Sequence, residues 1–550
     1  MPTDYDENDK PKKMTKKINK KITKHETDLF TPLFTSGLIA DYFKLLHGDK
    51  FICVNNVLYS YNGIYWEKSG DNNSKLINFF DKIFYSNLIT YANDKMSEFN
   101  IELLKEQKKR AEDDDEQHNI NSIISKLKTN IEQITDLFKN INTLRKGAVR
   151  KQIIDDILIF LSNDEIIFDN NPYLFAFKNK VYDLKIGDFV EPNPKFYITQ
   201  TTNYDYVKSN TEDITELDNF INSIFPNQDI KKDYLTVLAT GLCGFQIENL
   251  FVATGSGRNG KGVLNGLMMK TVGDYGYNLP SSALLQDIKA GPNPELAGLH
   301  NKRFVVSSEP EKGKKIACST MKKITGDRIL PVRTLYSKKC ETILLLTYIV
   351  ECNELLLLDE VNAAVMMRIR MTLFEASFYT QEEINQMDEE MRSLVNEGDP
   401  YFKTEEYKDR YKNVLFDLLL PYFKNFQENH YKLAPMPNIC SARCKDYFAM
   451  SDDIFNWFSE YYEKTESLEE SDPILLTTIY ELFKNSEFYG SMNKNDKRTY
   501  NRKYFCEKVE KNNFIKKYVR EKNSRHKNIT ISGTSIIGWR RQVLENTETI

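Results

Sequence analysis

The stretch Phe251–Gly266, FVATGSGRNGKGVLNG, sets Gly255, Gly260 and Lys261 at the spacing G-x-x-x-x-G-K. Leu250–Ala253 is an apolar strand candidate, the glycines permit a tight turn, and Val263–Lys270 can open a helix. Strand, glycine loop and helix in that order form the setting in which backbone N–H groups at a helix N-terminus cradle phosphate. The backbone of residues 257–262 can surround a β-phosphate, with the Lys261 ammonium reaching the β and γ oxygens. The nucleotide-contacting set read from the stretch is Gly255, Ser256, Gly257, Arg258, Asn259, Gly260, Lys261, Gly262 and Val263. One position departs from the pattern. Where a Ser or Thr hydroxyl would hold magnesium, this chain has Gly262.

Such a loop works with an acid at the tip of a neighbouring strand, and two stretches compete for that role. LLLLDE, Leu355–Glu360, has the familiar apolar-apolar-Asp-Glu form, but leucine lacks the β-branching that favours strands and Asn353 stands just before the run. In RFVVSSEPE, Arg303–Glu311, the run Phe304–Val306 reads as a strand and Glu309 and Glu311 follow it. Glu309 is therefore read as the acid, and Asp359 and Glu360 as loop residues. TILLLTYIVECN, Thr342–Asn353, is a long strand candidate whose terminal Asn353 can orient the attacking water.

The bulk properties narrow the setting. A chain of 550 residues predicts about three or four domains. With 41% hydrophobic, 28% charged and 12% aromatic residues it is a globular protein and not a disordered one. The net charge of -4 excludes a uniformly basic coat, so any polyanion contact must come from local patches. Eight cysteines without C-x-x-C spacing read as reduced thiols, and Cys440 and Cys444, the one close pair, lack a second pair to complete a zinc site. The six histidines form no nucleophile or metal constellation. The N-terminal MPTDYDENDKPKKMTKKINKKITKHE has no apolar core, and the apolar run ETILLLTYIV, Glu341–Val350, is too short to span a bilayer. The expectation is a soluble, cytoplasmic protein without a membrane partner.

Along the chain, residues 1–28 read as a lysine-rich disordered tail. KFICVNNVLYSYNGIYWEKSG predicts a hairpin around Asn62-Gly63. Helical periodicity runs from about Lys75 to Leu161, broken by the acidic Glu112–Gln117, and short strands with loops follow from Glu165. A helix from about Leu217 to Gly244 leads into the glycine loop. Apolar runs then alternate with helical patterns to about Phe378, as in an α/β domain with a parallel sheet. Helices return over 381–447, and the last hundred residues read as helices followed by a basic hairpin. Trp66, Trp457 and Trp539 are expected in cores or hairpins and not as base-stacking platforms. Lys516, Lys517, Arg520 and the basic residues after Trp539 fit a wing against duplex DNA or a solvated edge equally well.

Five motifs in order, GSGRNGKG, FVVSSEPE, MKKITGDRILPVRTLYS, IVECNEL and MMRIRMTLF, resemble the superfamily 3 helicases, specifically the poxvirus-type primase-helicase ATPases of nucleocytoplasmic large DNA viruses, phages and plasmids. DNNPYLFAFKNKVYDLKIGDF resembles the helicase-associated region that precedes the ATPase, so the resemblance covers roughly 30–380. It implies an AAA+-like P-loop core of α/β class, a mixed α+β N-terminal domain and a helical, winged-helix C-terminal region. The corresponding domains are 29–215, an ATPase domain at 216–380, a helical linker at 381–450 and a winged-helix-like domain at 451–550. By the same resemblance Lys261 contacts phosphate, Glu309 serves as acid and magnesium site with a water replacing the missing hydroxyl, and Asn353 acts as sensor. Lys322, Thr325, Gly326 and Asp327 match K-x-x-T-G-(G)-D, with one glycine where many relatives have two. Arg333–Thr342 would form a channel hairpin that sets Lys338 and Lys339, with Lys322 and Arg333, against DNA. Arg368 would be the arginine finger offered to a neighbouring subunit, with Arg370 in reserve, and one of the two is expected to reach a nucleotide.

The resemblance implies an ATP- and Mg2+-dependent replicative DNA helicase, a hexamer moving 3′ to 5′ on single-stranded DNA and opening a forked duplex in the host cytoplasm or at a viral replication site. No primase domain is expected ahead of residue 30, and if priming is needed a separate primase is expected. Two alternatives stay open: a DNA-binding ring scaffold with weak or no ATPase activity, motivated by Gly262, and another P-loop motor such as a packaging ATPase.

Overall fold

The computed structural model describes residues 35–70, 72–112, 117–289, 291–308, 310, 313–333, 341–468, 471–527 and 529–542. The expected tail and the residues Glu309, Glu311, Lys338 and Lys339 lie outside them. The chain divides into two compact units, one of Met1–Asn171, Lys178–Val181 and Val190–Gln200, the other of Pro172–Phe177, Tyr182–Phe189 and Thr201–Ile550.

In the first unit the expected hairpin is a three-stranded antiparallel meander, Phe51–Val54, Val57–Tyr61 and Trp66–Lys68. The Asn62-Gly63 turn joins the second and third strands. The extra turn is Asn55-Asn56, at φ 51° and 62°, between the paired Val54 and Val57. Asparagine tolerates that left-handed backbone, so an Asn-Asn pair can close a two-residue hairpin without glycine. Trp66 is buried, its indole N–H donating to the Pro194 carbonyl at 2.8 Å, which is a packing role. Helices Tyr85–Glu112 and Gln117–Thr143 lie against each other, and Ser36–His47 packs on Gly147–Phe160. Phe43, Phe80, Phe84, Ile134, Ile141 and Ile157 form their shared core.

The second unit is mixed α/β around a five-stranded parallel sheet. Its strands are β1 (Leu250–Thr254), β2 (Gly276–Asn278), β3 (Phe304–Ser308), β4 (Thr347–Cys352) and β5 (Ile369–Leu373), in the spatial order β5-β1-β4-β3-β2. Both faces are covered, which is why the central strands read as nearly unbroken apolar runs. Phe251, Ala253, Phe304, Val306 and Ile349 face one core. It is built with helices α1 (Thr211–Ile224), α2 (Gln228–Thr240), α3 (Lys261–Val272) and α6 (Glu405–Glu428). Leu250, Val252, Val305, Tyr348, Val350 and Met371 alternate to the other face. They meet α4 (Cys318–Gly326), α5 (Ala363–Arg368) and α7 (Asn438–Ser451). Leu264, Leu267 and Met268 of α3 are fully buried, each worth roughly 1.5–3 kcal/mol of transfer free energy in holding α3 to the sheet.

Two expectations change. The helix expected over 217–244 is two helices, because Pro226 cannot continue α1 and Asn227 caps α2 by accepting from the Asp229 and Ile230 N–H groups. The stretch 381–450, expected as a helical linker, holds α6 and nearly all of α7, which pack on the two faces of the sheet. The C-terminal residues form helices Asp453–Tyr461, Leu476–Lys484 and Arg502–Lys511 beside a small sheet of Ile474–Leu475, Ser535–Ile536 and Val519–Arg520. Trp457 and Trp539 are buried in that module's core, as expected. Among the described residues no helix is long and apolar enough to cross a membrane, and no cluster of three or more His, Cys, Asp or Glu side chains could hold a metal.

Candidate functional site

The glycine loop connects β1 directly to α3, and its shape is fixed by what crowds it. At Gly255 a side chain would run into the Phe374 carbonyl, and at Gly260, where φ is 82°, a Cβ would lie 2.8 Å from the Ile224 side chain. Asn259 is buried and steadies the turn, its amide donating to the Phe374 carbonyl at 3.4 Å and its Oδ1 accepting from the Lys261 N–H at 3.5 Å. Arg258 sits at φ 56°, its carbonyl accepting from the Phe378 N–H at 2.7 Å while its guanidinium pairs with Glu383 at 2.7 Å. That carboxylate raises the Arg258 pKa, and the arginine in turn lowers that of Glu383.

The α3 N-terminus points into a cleft lined by residues 257–263, Ser308, Glu351, Cys352, Asn353, Lys403 and Lys408. The Lys261 ammonium donates to the Gly255 carbonyl at 2.9 Å and to Asn353 Oδ1 at 3.1 Å. The loop lysine and the Asn at the tip of β4 are therefore brought together, as read from the sequence. Sequence reasoning missed Glu351. One of its carboxylate oxygens accepts from Asn265 Nδ2 at 2.7 Å and the other from Ser308 Oγ at 2.7 Å, and Asn265 is braced by the Tyr234 hydroxyl at 2.7 Å. Two periodicities pointed to these residues: Glu351 is two before Asn353 on one strand face, and Asn265 is four after Lys261 on one helix face.

Asp359 and Glu360 sit elsewhere. The pair Leu357–Leu358 runs parallel to Lys315–Ile316, outside the main sheet, Asp359 accepts from the Cys318 N–H at 3.0 Å, and Glu360 pairs with Lys322 at 2.9 Å. Lys322, expected against DNA, is thus engaged with Glu360, and its ammonium lowers the Glu360 pKa. Arg333 forms an isolated bridge with Pro292, and the shoulders of the expected hairpin are Ile329–Leu330 paired with Thr342–Ile343.

The arginines separate cleanly. Arg370, the reserve finger, lies in β5 with its side chain 10% exposed, in an ion pair with Asp233, whose side chain is 8% exposed. Burial outweighs the guanidinium and pushes the Asp233 carboxyl up. Arg368 closes α5, with Nη1 donating to the Ala364 carbonyl at 3.1 Å and Nε buried without a hydrogen-bond partner among the described residues. Its guanidinium lies over Gly326, 3.1 Å from where a Cβ would stand, which joins two of the sequence motifs in space.

Chemically, the cleft offers backbone donors, the three lysines Lys261, Lys403 and Lys408, and side-chain oxygens from Ser308, Glu351 and Asn353. Oxygen donors of this kind suit Mg2+, which retains several waters when bound. A side chain at 262 would meet nothing within 4 Å, so there is room for a water where a hydroxyl would stand.

Residues 38–226 match the family model described as D5 N terminal like. The chain is 27% identical over 377 residues to "Putative helicase 121R" of Invertebrate iridescent virus 3, covering 65% of this chain and 40% of that protein. It is 27% identical over 311 residues to "Primase D5" of Fowlpox virus, covering 54% and 38%. It thus spans about two fifths of the length of these curated relatives. The solved apo structure of the NrS-1 C terminal region overlaps 67% of this chain and 83% of its own, at 14% identity and a TM-score of 0.35. In its matched N-terminal region and in its viral relatives, the chain is similar to the D5-type primase-helicases of large DNA viruses.

Proposed function

We propose that this chain is a replicative DNA helicase driven by ATP hydrolysis, with an AAA+-like P-loop core. The observation that carries the reading is the Lys261 ammonium, held between the Gly255 carbonyl and Asn353 Oδ1 at the mouth of a glycine loop. A γ-phosphate entering the cleft would take over the lysine and release Asn353 to hold water, so the contacts seen without nucleotide are those the substrate exchanges. The strand order supports it as well: β1 lies between β4 and β5, where the winding of the sheet reverses and open α/β sheets bind their ligands beyond the strand ends.

Lys261 and the loop N–H groups would bind the triphosphate, Glu309 would orient the attacking water and steady magnesium through a water, and Asn353 would fix the attacking water's position. Magnesium, when bound, neutralises charge on the β and γ oxygens. Arg368 would act on the nucleotide of an adjacent subunit in a hexamer, and Arg333, Lys338 and Lys339 would meet single-stranded DNA in its channel.

A DNA-stimulated ATPase assay tests this. The wild type should turn over ATP, and Glu309→Gln should reduce turnover by two or more orders of magnitude. No turnover, with Glu309→Gln equal to wild type, would support the ring-scaffold reading that Gly262 motivates. Strong ATPase activity without unwinding of a forked duplex would favour a packaging-type motor.

A further inference from the structure

Two groups that usually steady magnesium beside a phosphate loop are replaced in this chain. Gly262 stands where a hydroxyl would be, and the last residue of β3, before Glu309, is the neutral Ser308. The neighbouring strand brings a carboxylate to the same place. In the β3–β4 register Glu351 is the direct partner of Ser308, and it accepts the Ser308 hydroxyl at 2.7 Å. Its other oxygen is held by Asn265 of α3 at 2.7 Å, so the carboxylate spans from the loop helix to the tip of β3. Glu351 is 9% exposed, yet it lines the cleft with Lys261, Gly262 and Asn353. Its two hydrogen-bond donors are neutral, and a buried carboxylate satisfied by neutral donors is costly unless a cation shares it. Glu351 in β4 and Asn353 just beyond its end both line the cleft that would take the phosphates.

We propose that Glu351 is the carboxylate that anchors the nucleotide's magnesium, doing from β4 what an acid at position 308 would do from β3. The inference rests on the nucleoside-triphosphate reading above and adds the residue that makes Gly262 tolerable.

The test uses the full chain with ADP and Mn2+ as a paramagnetic stand-in, free Mn2+ being counted by EPR, and circular dichroism as the check on folding. Wild type should show a nucleotide-dependent Mn2+ site, and Glu351→Gln should weaken it at least tenfold. Adding Ser308→Asp to Glu351→Gln returns a carboxylate to β3 and should recover most of the loss, which a merely structural role for Glu351 would not allow. Should Glu351→Gln fail to fold, Glu351→Asp, which withdraws the charge by one methylene, is read by the same Mn2+ titration with the same expected weakening. Mn2+ affinity within twofold of wild type in the folded variant overturns the assignment of Glu351 alone. A wild type without any nucleotide-dependent Mn2+ site overturns it together with the ATPase reading.

Discussion

A serine would fit at position 262, because a Cβ there opens on empty space. Gly262→Ser is therefore expected to leave ATPase activity intact or to lower the magnesium concentration for half-maximal rate, and a magnesium titration of turnover checks it. Gly260 is the opposite case. Its left-handed backbone and the Ile224 side chain 2.8 Å from a Cβ make Gly260→Ala destabilising by roughly 1–3 kcal/mol, with weaker nucleotide binding. Arg370→Ala would leave Asp233 buried and alone, a loss of about 3–5 kcal/mol visible as a lower Tm. Lys261 and Asn353 were legible in the sequence because their chemistry is tied to position: one follows a glycine loop, the other ends an apolar strand. Glu351 was not, since an acid inside the run TYIVEC looks like an interruption of a core strand until the register sets it beside Ser308. Arg368 and Arg370 look interchangeable as letters, and the buried partner Asp233, 137 residues away, is what distinguishes them.

At the scale of elements, local signals fared according to how local their causes are. The glycine loop, the α3 start and the strands β1, β3 and β4 were readable, because glycine conformation and apolar runs act within a few residues. The break between α1 and α2 was readable in principle from Pro226. LLLLDE misleads as a string: Leu357–Leu358 does form a strand, but it pairs with Lys315–Ile316 and sends Glu360 to Lys322. That pair makes a pH prediction. Because the Lys322 ammonium lowers the Glu360 pKa, its contribution is present above the ordinary carboxylate value and is lost as pH falls through the lowered folded value. The Lys322 and Glu360 side chains are 32% and 41% exposed, so Glu360→Gln should cost only about 0.2–1 kcal/mol at pH 7. The difference from wild type should close in acid, as thermal melts at both pH values would report.

For the whole molecule, the alternation of apolar runs and helical patterns was enough to expect a parallel α/β sheet, since each βαβ crossover writes itself into the sequence. That helices from 405 to 451 complete both cores was not legible, because those contacts join residues far apart in sequence, 75 positions for Cys444 and Ile369 and 211 for Tyr206 and Asp417. Assembly belongs to this scale too. If Arg368 acts across a subunit boundary, Lys261→Ala and Arg368→Ala should each be inactive alone, and mixing them should restore a measurable fraction of ATPase activity. Restoration arises where an intact loop meets an intact finger in a mixed ring, and its absence at every mixing ratio would place Arg368 within its own subunit's site or outside the chemistry.

The attachment of Arg258 to Phe378 and Glu383 has a thermodynamic corollary. The tip of the phosphate loop shares its backbone and its charge with the segment that begins at Ser377, so the conformational energies of the two are not independent. By linkage, whatever strengthens nucleotide binding through that segment must itself be bound more tightly, by the same factor, when nucleotide is present.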